Sequence, residues 1–182
     1  MKSEKGITLI MLATYIVLTT MALALLATVS NYFYNNVYYL NNKAMYAAEF
    51  DKLNVYLVQD VKRNTKVNIQ VPDENHPYQD TIIAFGNGNR YIYYNAPDSK
   101  YKNGIYRVTQ VKDKNGNLII DANGKYTENI TLIASNVTKF DVSKEIKTIN
   151  DVDKTLLNVE IKIGDETDMS FWHNITYTLK YW

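Results

Sequence analysis

From residue 7 to residue 42 the chain carries no charged side chain, and from residue 7 to residue 63 it carries neither proline nor glycine. With both strong helix breakers absent over such a length, the segment predicts one continuous helix. At about 1.5 Å per residue, residues 7–62 would extend roughly 84 Å. A compact domain of this size cannot bury that length. About half of the helix must therefore lie in a membrane or against other chains.

The apolar portion, residues 7–29, has 23 residues, enough for a helix to cross a hydrocarbon core roughly 30 Å thick. Its polar members are Thr8, Thr14, Tyr15, Thr19, Thr20 and Thr28. A helical threonine can return its hydroxyl to a carbonyl one turn back, so none of the threonines forbids insertion. Tyr32, Phe33, Tyr34, Tyr38 and Tyr39 follow, aromatic residues of the kind found where a helix leaves lipid for headgroups. Lys2 and Lys5 precede the span and the next cation is Lys43. This bias predicts a single pass through the cytoplasmic membrane, with the N-terminus inside and the rest outside. An assembly helix, a plain signal anchor and a secretory signal cleaved near Ala22-Leu23-Ala24 or Ala27 all meet these criteria.

Beyond Asn42 the pattern becomes amphipathic. Ala47, Phe50, Leu53, Leu57 and Val61 recur at spacings of three and four, with Glu49, Lys52, Asp60 and Lys62 among the residues between, which predicts a helix with one face on a core. Lys62-Arg63-Asn64 supplies the cations and terminator for its end. The remaining 119 residues, 64–182, make one β-rich domain. Residues 81–85 and 90–94 flank Gly86-Asn87-Gly88-Asn89, and residues 105–111 and 118–120 flank Asn115-Gly116; both read as hairpins, because Asn and Gly tolerate positive φ. Further strands are expected at 130–134, 137–142, 156–163 and 175–181. The last two alternate apolar and polar residues, as in half-buried antiparallel strands. The expected class is α+β: a long N-terminal helix, part transmembrane and part amphipathic, packed on an antiparallel sheet.

Lys5-Gly6-Ile7-Thr8-Leu9, a basic leader ending in glycine and running into an apolar helix, resembles the class III signal of type IV prepilins and pseudopilins. The resemblance implies a leader peptide at 1–6, an assembly helix at 7–29, its amphipathic continuation at 30–63 and an extracellular pilin-like domain at 64–182. It implies cleavage after Gly6 by a prepilin peptidase, with N-methylation of Ile7. Other pilin subunits, an inner-membrane assembly platform and, before assembly, membrane lipid are the implied partners. Most members carry glutamate as the fifth residue after the cut, where it pairs with a neighbouring subunit's terminal amine; here that position is Met11. Without the carboxylate, an ammonium in the apolar filament interior stays unpaired at a cost of several kcal/mol. The resemblance then points to a minor subunit that initiates or caps a filament serving a pilus, type II secretion or DNA uptake. Thr28, where many major pilins have a kinking proline, points the same way. The order of the C-terminal strands is similar to that of J-type minor pseudopilins.

Chemistry is sparse. The absence of cysteine excludes disulfides and thiolate metal sites, and a net charge of +1 argues against a nucleic-acid surface spread over the whole domain. His76 and His173, the only two histidines, lack metal-site spacing, and no serine sits in a nucleophile turn. Gly86-Asn87-Gly88 is a turn rather than a dinucleotide loop. No cofactor and no enzymatic activity are expected. Asp165, Glu166 and Asp168 form the one weak calcium candidate, with a solvated hairpin tip as the simpler account. Arg90, Tyr91, Tyr93, Tyr94 and Tyr101, near Lys100 and Lys102, form the best expected surface for a ligand. DNA is the weaker expectation there, because tyrosine is also a favoured strand residue. The alternative to a filament subunit is a membrane-anchored or secreted binding protein that does not polymerise.

Overall fold

The computed structural model describes residues 3–96, 101, 103–149, 152–164 and 171–179. The chain divides into two compact units, Met1–Asn42 and Lys43–Trp182. One helix, α1 (Ser3–Arg63), contributes to both.

Within the first unit every described residue is helical, and the side chains from residue 8 to residue 38 are exposed. The threonines are held as the sequence predicts. Thr14 donates to the Ile10 carbonyl at 2.6 Å, Thr19 to Tyr15 at 2.7 Å, Thr20 to Ile16 at 3.0 Å and Thr28 to Ala24 at 2.9 Å. Each hydroxyl is thereby satisfied inside its own helix, leaving an outer surface that a hydrocarbon environment tolerates. This helix is long and apolar enough to cross a membrane.

The second unit combines residues 43–63 of α1 with eight strands: β1 (Val67–Gln70), β2 (Thr81–Phe85), β3 (Arg90–Tyr93), β4 (Ile105–Gln110), β5 (Glu128–Ala134), β6 (Val137–Ile149), β7 (Val152–Ile163) and β8 (Phe171–Thr178). They form two antiparallel sheets, ordered β1-β2-β3-β4-β5 and β6-β7-β8, where the sequence predicts one. The cause lies in the two residues between β5 and β6. Such a short link would ordinarily close a hairpin. Here Glu49 accepts hydrogen bonds from the Ser135 backbone N–H at 3.0 Å and the Ser135 hydroxyl at 2.6 Å. Asn136 turns at a φ of 50°, and the Val137 N–H donates to the Asn103 carbonyl at 2.9 Å. The chain is led away from β5 and starts a second sheet.

Residues 118–120 are also not the expected strand partner of β4, which pairs instead with β5. The intervening segment folds into two similar turns. The Asp113 carboxylate accepts from the backbone N–H groups of Asn115 and Asn117, both at 2.8 Å, and Asp121 does the same for Asn123 at 2.8 Å and Lys125 at 2.9 Å. Side chains that imitate a turn close each loop so tightly that only isolated bridges form between them. Strand β1 was not foreseen, since its four residues are too few for a period to register.

The core joins the helix to both sheets. Tyr46, Phe50, Leu53, Leu57 and Val61 pack with Ile83, Phe85, Tyr91 and Ile105 of the first sheet and with Phe140, Leu157, Ile161 and Tyr177 of the second. Burying an aliphatic or aromatic side chain of this size contributes about 1.5–3 kcal/mol, so the stripe is the main adhesive of the domain. Polar ties flank it: the Lys52 ammonium donates to the Leu132 carbonyl at 3.0 Å, and the Tyr177 hydroxyl to Asn54 at 2.8 Å. Burial pushes the Tyr177 phenol up to about 12.

Asp60 departs from the amphipathic pattern. It is 1% exposed and accepts hydrogen bonds from Asn87 at 3.1 Å, Asn89 at 2.6 Å and the Tyr91 hydroxyl at 2.6 Å. Arg107 adds an ion pair at 3.1 Å, with its guanidinium 4.7 Å from the centre of the Tyr56 ring. Burial alone would raise the Asp60 pKa. The hydrogen bonds from Tyr91, Asn89 and Asn87, together with the charge of Arg107, outweigh burial and hold it below the ordinary carboxylate value.

Removing Arg107 strips the buried carboxylate of its countercharge, so Arg107→Ala should lower the unfolding free energy by about 3 kcal/mol at neutral pH in chemical denaturation. Because the folded-state pKa of Asp60 is depressed, its contribution is fully present above the ordinary aspartate value near about 3.9. It is lost as the pH falls from there through the folded-state pKa. The fall in stability between neutral and strongly acidic pH should therefore be smaller in Asp60→Asn. A chain beginning at Lys43 should be soluble and melt cooperatively, whereas one beginning at Asn64 should aggregate, having exposed the faces that the helix covers. Equal behaviour of the two fragments would show that the helix is dispensable to the core.

Candidate functional site

The largest feature left open to its surroundings is the apolar surface of the first unit. Leu9, Ile10, Leu18, Leu25 and Leu26 are all exposed, and Met11 is 66% exposed. Gly6 and Ile7 lie within α1, which starts at Ser3. A helix with this surface has the same thermodynamic need in lipid and among other helices: apolar cover on all sides. Aliphatic side chains suit either environment, and the threonine hydroxyls remain satisfied in both.

The tyrosines expected to form a ligand surface do not form one. Tyr91 is fully buried, with its hydroxyl on Asp60 and its ring edge-on to Phe85 at 5.9 Å. Burial, then the Asp60 carboxylate, drive its pKa well above the ordinary phenol range. It is a core residue and is corrected as such: β3 turns its odd-numbered positions toward the helix. Tyr93 is half-buried, donates to the Val137 carbonyl at 3.2 Å and meets the Phe140 ring at 6.1 Å; burial raises its pKa too. Arg90 is paired with Glu128 at 2.5 Å. Tyr94 and Tyr101 remain half-exposed, but their rings lie 5.3 Å apart and both meet Tyr106, at 5.5 and 5.0 Å. Tyr106 was not singled out in the sequence. Its register opposite Ile92 on β3 and Leu132 on β5 places it in this cluster. Lys100 and Lys102 lie outside the described residues.

Asp165, Glu166 and Asp168 also lie outside the described residues. Among the described residues no group of three His, Asp or Glu side chains could hold a metal ion. His76 pairs at 3.1 Å with Asp73, whose pKa is lowered first by the His76 backbone N–H. His173 stacks on Phe50 with ring centres 4.3 Å apart. Asp113 is held below the ordinary carboxylate value, first by the backbone N–H of Asn117, so its carboxylate serves the turn. Ser135 is engaged by Glu49. None of these arrangements pairs a nucleophile with a base.

No protein-family model, no curated protein and no solved structure matches the chain.

The contrast between buried and half-exposed tyrosines is measurable. Tyr91→Phe should cost about 1–2 kcal/mol in chemical denaturation by removing a donor from a buried carboxylate. Tyr94→Phe should stay within about 0.5 kcal/mol of the parent chain. If the two variants are equally mild, the Tyr91 hydroxyl is not holding Asp60.

Proposed function

We propose that the chain is a non-enzymatic minor pilin or pseudopilin that initiates or caps a type IV pilus-like filament. The observation that carries this reading is the position of Gly6. It stands after a basic leader and directly before an uncharged run within α1, a helix whose residues 43–63 serve as the central core element of a β-rich domain. A plain anchor needs a span, but it does not need that helix to continue as the spine of the folded domain.

The mechanism is mechanical. Before assembly the apolar part of α1 rests in the cytoplasmic membrane, N-terminus inside, and after cleavage by a prepilin peptidase it moves into a bundle of like helices. Burial against other subunits then replaces burial in lipid, while the platform of the assembly machine supplies the work. Met11 sets the copy number: with no carboxylate to receive a neighbour's terminal ammonium, each internal placement leaves a buried charge uncompensated. A position at the filament end avoids one such contact.

With a cognate prepilin peptidase present, the mature chain should begin at Ile7 by N-terminal sequencing or intact mass, and Gly6→Glu should keep the leader. A mature N-terminus near Val29 would favour the secreted binding protein instead. In purified filaments the chain should be found at far lower copy than the major subunit. Its deletion should reduce filament number more than filament length, and Met11→Glu should raise its internal incorporation. Incorporation along the whole filament at major-subunit stoichiometry would defeat the proposal.

A further inference from the structure

The outward face of the β6-β7-β8 sheet carries a regular polar array that the fold itself does not need. Antiparallel register places Asp141 beside Glu160 and Glu160 beside Asn174. The next row is Ser143, Asn158 and Thr176. On the other side Lys139 and Lys162 lead to Trp172 on β8. The opposite face supplies Phe140, Val142, Val159 and Ile161 to the core. With alternate residues about 6.6 Å apart along a strand and strands about 4.8 Å apart, three rows over three strands cover roughly 13 by 10 Å. A shallow depression lies in the array, lined by Asp141, Ser143, Asn158, Glu160, Asn174 and Thr176.

We propose that this face binds a neutral oligosaccharide, with Trp172 as the stacking platform and the polar rows as hydrogen-bonding partners. Trp172 is 65% exposed, and its indole N–H donates to Glu160 at 3.2 Å. A carboxylate that lines the depression therefore orients the ring beside it. One exposed aromatic residue alone means little, but here it stands next to groups that suit hydroxyls. Thr176 donates to Asn158 Oδ1 at 2.7 Å, which fixes that amide with its two donor hydrogens left over. Carboxylates accept, lysine donates, and serine, threonine and asparagine do both, matching a ligand whose every hydroxyl does both.

Charge selects the class. The two lysines and two carboxylates cancel, and Lys139 bonds Glu160 at 2.5 Å and Asp141 at 3.2 Å. A phosphate backbone would meet as much negative as positive charge, and the array lacks the basic excess that nucleic acids require. An apolar protein hot spot is equally missing from the depression. A sugar with equatorial substituents presents a flat C–H face to an indole and a rim of hydroxyls to the rows. The inference does not depend on the filament reading, because the array belongs to the sheet.

The test uses the full chain in lipid nanodiscs, which avoids glycosidic detergents, titrated with cellohexaose and chitohexaose by calorimetry. At least one should bind with a dissociation constant below about 1 mM. Trp172→Ala should weaken binding at least about tenfold, as loss of an aromatic stacking surface does elsewhere, with the thermal melt unchanged. Trp172→Phe should recover part of the affinity. Asn158→Ala and Asn174→Ala should each weaken it severalfold, and these serve as independent tests if the tryptophan variant folds poorly. Tyr94→Ala, away from the array, should have no effect. Absence of binding by both oligosaccharides, undiminished binding by Trp172→Ala, or tighter Trp172-dependent binding of single-stranded DNA would each overturn the proposal.

Discussion

The carboxylate of Asp60 occupies a place in the helix stripe where an aliphatic side chain would give a simpler core. An isolated charge there would cost several kcal/mol in lost hydration. The surrounding residues remove that cost by converging on it: two amides from the β2–β3 turn, a phenol from β3 and a guanidinium from β4. Three segments distant in sequence are thereby set against one residue of the helix. Apolar contacts hold the helix to the sheet without regard to direction, whereas this node accepts only one register between them. Asn64 reinforces it, donating to the Asp60 carbonyl at 2.7 Å and accepting from the Asn87 backbone N–H at 2.9 Å.

The helix and most of the strands were legible in the sequence because their signals are local and repetitive. An uncharged, breaker-free run and the alternation of Leu157, Val159, Ile161 and Ile163 need no tertiary knowledge. The partition into two sheets was not legible, since it depends on Glu49 seizing Ser135 from 86 positions away. Asp60 was misplaced for a related reason. Its spacing from Leu53 and Leu57 sets it on the core stripe, but charge places a residue outside by default. A reading that respected the spacing and then looked for an arginine and several amides to satisfy the carboxylate would have found it.

The surfaces were legible unevenly. Lys5-Gly6-Ile7 and the threonine-bearing apolar run stand out because their composition is unusual wherever they occur. Aromatic density at residues 90–101 proved a poor guide, since side chains on alternate positions of one strand have opposite fates: Tyr91 enters the core while Arg90 faces outward to Glu128. The array around Trp172 escaped notice because each strand shows only the polar half of an ordinary alternation. Its regularity arises when three strands come into register.

The side-chain ties between helix and sheets are spread along the helix from Glu49 through Lys52 and Asn54 to Asp60. A pull on the chain at Lys43, directed along the helix axis, would load these ties and the apolar stripe together, as in shear. A pull across the axis would peel them one after another. Resistance to shear adds the contributions of parallel bonds, whereas peeling meets only the weakest in turn. The same domain would thus be strong along its helix and weak across it.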